Sequence, residues 1–174
     1  MTLFVDFFIA IRDFFERGGD VLWAIFFATI LMWTLIIERI WFFYGVLPEK
    51  MREAVDFWER RDDTSSWYAR RVRDQIISEV ALEAHRFILV IKTVMAVLPL
   101  LGLLGTVTGM IEVFDVMAVA GTGNARLMAG GVSKATIPTM SGLVAALSGL
   151  YLASYLEHKA NEKVTVLEDH LVQN

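Results

Sequence analysis

Three stretches of the sequence carry no charged side chain: residues 21–37, 93–111 and 135–156. They hold 58 positions, where an even spread of the 36 charged residues along the 174-residue chain would place 12. At about 1.5 Å of rise per residue, helices of these lengths reach roughly 26 to 33 Å, the depth of a bilayer's hydrocarbon core. The pattern predicts an all-α membrane protein with three transmembrane helices, long cytoplasmic helical extensions and an N-terminal amphipathic interfacial helix.

In chain order, residues 1–19 form the interfacial helix. Leu3, Phe4, Phe7, Phe8, Ile11, Phe14 and Phe15 share one face, and Asp6, Asp13, Glu16 and Arg17 fall largely opposite. Early Asp6, with no basic segment before the apolar run, argues against a signal peptide. Gly18 and Gly19 break this helix, and Asp20 is the expected N-cap of transmembrane helix 1, residues 20–47. Trp23 marks one end of that span and Trp41, Phe42, Phe43 and Tyr44 the other, with Pro48 as its stop. Adjacent Glu38 and Arg39 are expected to reach separate partners or to snorkel.

Residues 48–87 read as a cytoplasmic helical segment, in which Val72, Ile76 and Val80 form a packing stripe. From Tyr68 to Ala120 the pattern predicts one long helix that starts in water and enters the membrane as transmembrane helix 2, residues 88–120. A periplasmic loop at 121–126 and transmembrane helix 3 at 127–157 follow, with Pro138 expected to kink the latter and free a carbonyl near Thr139. In the cytoplasmic tail, 158–174, Val164, Leu167 and Leu171 keep helical spacing.

Composition sharpens this. Hydrophobic residues make up 56% of the chain, and mean hydropathy is +0.52. The absence of cysteine removes disulfides, thiol chemistry and thiolate metal sites, and a net charge of −4 argues against nucleic acid as a partner. His85, His158 and His170 lie outside the uncharged stretches and scatter, so no metal site is expected. Eleven Lys and Arg fall in 45–92 and the tail, against four on the other side. The positive-inside rule then places the N-terminus outside and the large loop and tail in the cytoplasm.

Phosphate-binding glycine loops are missing, as is any nucleophile, base and acid set, so the chain is not expected to be an enzyme or to need a cofactor. Small and hydroxyl residues stand out instead. Gly102, Gly105, Thr106 and Gly109 recur in span two, and Ser133, Thr136, Thr139, Gly142, Ala146 and Gly149 in span three. Such stripes mean either close helix packing, with threonines bonded to their own backbones, or the lining of a shared cavity in an oligomer. An ion path through lipid ordinarily has an ionisable group at mid-depth. Carboxylates are the usual carriers, and the uncharged stretches of spans two and three have none, so a carrier would have to come from another protein.

The run from Val97 to Met110 (VLPLLGLLGTVTGM) and the run from Gly130 to Ala146 (GGVSKATIPTMSGLVAA) resemble the MotA/TolQ/ExbB proton channel family, most nearly the short ExbB-type proteins of TonB systems. Three spans favour the ExbB and TolQ branches over four-span flagellar stators. The resemblance implies a bacterial inner-membrane homo-oligomer, a pentamer, around the transmembrane helices of two ExbD-like subunits that bring an aspartate into the pore. A TonB-like protein would pass the work to outer-membrane transporters. The family's two pore threonines match Thr106 and Thr139, with Gly102, Gly105, Gly109, Ser133, Thr136, Pro138 and Gly142 as pore lining or helix packing.

One position departs from the family pattern. Many members have a glutamate where this chain has Lys134, so that glutamate's role does not carry over. Lys134 is expected to snorkel at the outer boundary, where Glu112 and Asp115 are possible partners. Two alternatives stand beside the TonB reading: a TolQ-like role in outer-membrane integrity, and a non-conducting membrane scaffold.

Overall fold

A computed structural model describes residues 2–64, 66–120 and 125–173. The described residues are mostly helical: α1 Thr2–Gly18, α2 Asp20–Trp41, a π-helical turn Phe42–Val46, α3 Leu47–Glu59, α4 Trp67–His85, α5 Ile88–Ala120 and α6 Ala125–Gln173. Three helical stretches, within Asp20–Glu59, Trp67–Val119 and Met128–Val172, are long and apolar enough to cross a membrane. The expected loop at 121–126 falls mostly outside the described residues, and α6 already begins at Ala125.

The chain divides into two compact units, Met1–Met32 with Thr93–Leu150, and Trp33–Lys92 with Tyr151–Asn174. In the first, Leu22, Ile25, Met32, Leu98, Val113 and Ala135 are buried. Phe15 of α1 stacks on Trp23 at 4.5 Å and meets Phe26 edge-on at 5.5 Å. Phe8, Ile11 and Phe14 of the expected apolar face remain exposed, while the side chains of Leu3, Phe4 and Phe7 lie outside the described residues. Arg12 donates to Glu16 at 2.7 Å, a hydrogen bond that holds the guanidinium above its already high ordinary value.

The α1–α2 corner differs by one residue from the sequence expectation. Gly19 adopts φ +69° and its carbonyl accepts from the Leu22 amide at 3.1 Å. A side chain is disfavoured in that left-handed conformation, so Gly19 makes the turn. Asp20 is the first residue of α2, where a carboxylate complements the helix dipole.

In the second unit, Pro48 does not end a helix. The chain continues through the π turn, where the Leu47 amide bonds the Phe42 carbonyl, into α3 with Pro48 in its first turn. Proline lacks the N–H for the preceding turn and its ring crowds the carbonyl four residues back; the wider turn relieves both. Ser66 caps α4 by accepting from the Ala69 amide at 3.0 Å. Of the α4 stripe, Val80 is buried, whereas Val72 and Ile76 line a groove of about 470 Å³ against Lys50, Glu53 and Phe57 of α3. The tail is helical as the spacing of Val164, Leu167 and Leu171 foretold, and Leu167 and Leu171 are buried.

The expected continuous helix from Tyr68 to Ala120 is interrupted at Arg86–Phe87, where Phe87 takes φ +64°. Arg39 explains what holds this break. Its guanidinium is 3% exposed, donates to both Glu38 oxygens at 2.6 Å and to the Glu83 carbonyl at 3.0 Å, and lies over the Phe42 and Phe87 rings at 4.3 and 5.3 Å. Glu38 and Arg39 thus pair with each other, contrary to the expectation of separate partners. A buried guanidinium has few routes to a counter-charge, and the neighbouring carboxylate is within reach of its long side chain.

Candidate functional site

The small residues of α5 bring its backbone onto α6. A Cβ added at Gly102 would stand 2.9 Å from the Thr139 Cα and 3.0 Å from the Pro138 carbonyl oxygen. At Gly109 it would stand 2.6 Å from the Ala135 Cα, and at Gly142 2.5 Å from the Leu98 carbonyl oxygen. At Gly105 it would collide with the Pro138 ring. Gly102, Gly105, Gly109 and Gly142 therefore lie in a backbone-to-backbone seam, the geometry that glycine at four-residue spacing permits between lipid-embedded helices. Pro138 sits in this seam, nearly fully buried, and α6 continues as a helix through it. Gly149 packs against Met32 of α2.

Two hydroxyls flank the seam. Thr139 is half-buried and donates across it to the Gly102 carbonyl at 2.9 Å. Thr106, also half-buried, donates to the Leu103 carbonyl of its own helix at 2.7 Å. Since each hydroxyl proton is engaged, what each oxygen has left to offer is acceptor capacity. The remaining polar positions do not join them. Ser133 is exposed, and exposed Thr136 bonds back to the Ser133 carbonyl at 3.1 Å. Steps of three residues lag a helical turn by about 60° each, so from Ser133 to Thr139 the stripe winds about 120° around α6.

At one end of the seam Lys134 donates to Glu112 at 2.6 Å, and its Cε would lie 3.2 Å from a Cβ at Gly19. Lys134 is 34% exposed and Glu112 52%. Asp115 is exposed and makes no ion pair among the described residues. A small cavity of about 120 Å³ lies here, between Asp20, Thr108, Glu112 and Lys134; Thr108 was not singled out from sequence, being one more threonine at a helical spacing.

Sequence reasoning also missed the pairings of the second unit. Lys92 donates to Glu157 at 2.6 Å, Lys50 to both Glu83 oxygens at 2.5 Å, and His85 contacts the Asn161 side chain at 2.9 Å. A signal for the first was present: Lys92 and Glu157 are the charges that bound the two uncharged stretches on the same side. Among the described residues no group of three or more His, Asp or Glu could hold a metal ion.

Comparison with known proteins agrees with the two runs noted in the sequence. A 71-residue segment, 40% of this chain, is 41% identical to "Putative biopolymer transport protein ExbB-like 3" of Synechocystis sp., of which it covers 34%. A 170-residue alignment over 79% of this chain shows 28% identity to "Putative biopolymer transport protein ExbB-like 1" of the same organism, of which it covers 67%. The chain thus spans about a third of the first relative and two thirds of the second. The model of the MotA/TolQ/ExbB proton channel family matches residues 42–169, which include the π turn, Pro48, Pro99 and Pro138, and the whole α5–α6 seam. With three helical stretches able to cross a membrane and a match over most of its length, this chain is a multi-pass membrane protein that belongs to the MotA/TolQ/ExbB proton channel family.

Proposed function

We propose that the chain is the housing subunit of an ion-driven motor in the bacterial inner membrane, and that it energises TonB-dependent outer-membrane transport. In this reading the N-terminus is periplasmic, the tail is cytoplasmic, and five copies surround the transmembrane helices of an ExbD-like partner. The observation that carries it is the pair of hydroxyls at the seam, in spans with no Asp, Glu, His, Lys or Arg over 93–111 and 135–156. Thr106 and Thr139, their protons already engaged, present acceptor lone pairs. A partner's carboxylic acid, once protonated, is a donor and fits them; once ionised it is an acceptor and does not. The housing would therefore favour the neutral carrier at mid-depth and leave proton release to the ends of the path.

The test removes each hydroxyl or keeps it. With the ExbD-like and TonB-like partners present, Thr106→Val and Thr139→Val should abolish energised uptake of an iron chelate at normal protein levels, whereas Thr106→Ser and Thr139→Ser should retain it. Uptake persisting in both valine variants would sink the assignment. A non-conducting scaffold has one observation in its favour, since the glycines are engaged in helix packing within the chain. It predicts normal function in the valine variants and no partner-dependent proton flux in liposomes.

A further inference from the structure

The first unit carries two adjoining cavities at the α1–α2 corner. The first, of about 390 Å³, lies between α1, α2 and α6 and is lined by Phe14, Leu22, Ile25, Val144 and Ala145, among others. Three hydroxyls touch it, and each is engaged within its own helix: Thr29 with the Ile25 carbonyl at 2.7 Å, Ser141 with Ile137 at 2.8 Å and Ser148 with Ala145 at 2.7 Å. The lining thus offers hydrocarbon and no free donor. The second cavity, of about 780 Å³, is bounded by Phe8, Ile11 and Trp23 and by four charges, Arg12, Glu16, Asp20 and Lys134. Phe15 and Phe26 line both.

A slot for hydrocarbon beside a chamber with two cations and two carboxylates has the chemistry of a phospholipid, with the acyl chain in one and the headgroup in the other. We infer that this corner is a binding site for a zwitterionic aminophospholipid, one acyl chain in the apolar cavity and the headgroup among Arg12, Lys134, Glu16 and Asp20. The charges decide which headgroup. Arg12 is paired with Glu16, and Lys134 with Glu112, so among the described residues of this chamber Asp20 is left as the uncompensated carboxylate, and a net-anionic headgroup would add like charge beside it. An ethanolamine headgroup offers its ammonium to Asp20 and its phosphate oxygens to the remaining N–H donors of Arg12 and Lys134, and adds no net charge. The amine donates three hydrogen bonds, which suits carboxylate oxygens; a quaternary choline has none to give.

The experiment is native mass spectrometry of the protein, purified in mild detergent and exchanged against phosphatidylethanolamine, phosphatidylcholine and phosphatidylglycerol of matched acyl length. The wild type should retain phosphatidylethanolamine at least fivefold over either competitor. Asp20→Asn should bring that preference to parity, and Ala145→Trp, which fills the apolar cavity, should lower retention of all three. Should Ala145→Trp fail to fold, Val144→Phe replaces it. Equal retention by the wild type, or a preference unchanged in Asp20→Asn, overturns the proposal. So does a photo-reactive residue at Trp23 that crosslinks to a neighbouring subunit and to no lipid, since that subunit would then fill the corner.

Discussion

Gly109→Ala measures how close the α5–α6 seam is. The added Cβ would stand 2.6, 2.7 and 2.8 Å from the Cα, Cβ and amide nitrogen of Ala135. Ordinary contacts lie at about 3.5–4.0 Å, so the helices must part by roughly 1 Å, and none of the obstructing atoms is the end of a flexible side chain. Overpacking of this kind costs about 1–3 kcal/mol. Alanine also gains about 1 kcal/mol over glycine in helix propensity, which would mask part of the loss. Gly130→Ala supplies the reference: it lies in the same kind of helix, with nothing within 4 Å of its added Cβ. Both variants share the propensity gain, so their difference isolates the seam. Unfolding in mixed micelles, followed by tryptophan fluorescence, should find Gly109→Ala about 1–3 kcal/mol less stable than Gly130→Ala. Parting the helices should also stretch the Thr139–Gly102 hydrogen bond, now 2.9 Å, and function should fall with stability. A Gly109→Ala protein within about 0.5 kcal/mol of Gly130→Ala, the ordinary scatter of neutral substitutions, would refute the seam.

Other outcomes follow from charges and strain. Lys134→Met should leave energised transport near the wild-type level and cost at most about 1 kcal/mol, because its pair with Glu112 is half exposed; a crippled variant at normal abundance would give the lysine a direct role. Phe87 bears φ +64°, a strain of about 1–2 kcal/mol that glycine relieves and alanine keeps. Phe87→Gly should therefore be as stable as Phe87→Ala or more so by micelle unfolding, and the reverse order would remove the strain. Arg39→Met should destabilise the chain by about 1.5–3 kcal/mol, the range for hydrogen bonds to a charged group. Its effect should shrink in a Glu38→Gln background, and full additivity of the two in a double-mutant cycle would show that they do not act as a pair.

The spans were legible because lipid imposes one rule on every residue it touches: positions without charge accumulate wherever the chain crosses hydrocarbon. The seam was half legible. Gly105 and Gly109 announced close packing, but whether their partner lay in this chain or in another copy depends on which helix the glycines face, and periodicity gives a face without naming its neighbour. The α6 stripe misled for a related reason, since Ser133 and Thr136 look aligned with Thr139 only until the lag of each three-residue step is summed. The break at Phe87 left no mark, because no glycine, proline or asparagine stands there; tertiary contacts to Arg39 override local preference. Likewise Pro48 reads as a stop under α-helical rules alone, and a wider turn was the exception those rules do not contain.

That wider turn sets a phase. A π turn holds one residue more than the α path it replaces, so α3 is displaced by about 100° in azimuth from where an unbroken α-helix through Trp41 would carry it. Leu47 and Trp58, both buried, owe their inward direction to that offset. Forcing all five residues of 42–46 into ordinary α geometry would swing Trp58 toward solvent, whereas removing one residue would restore α geometry with Trp58 still facing inward. The turn thus takes up one extra residue so that the helix beyond it keeps its buried face.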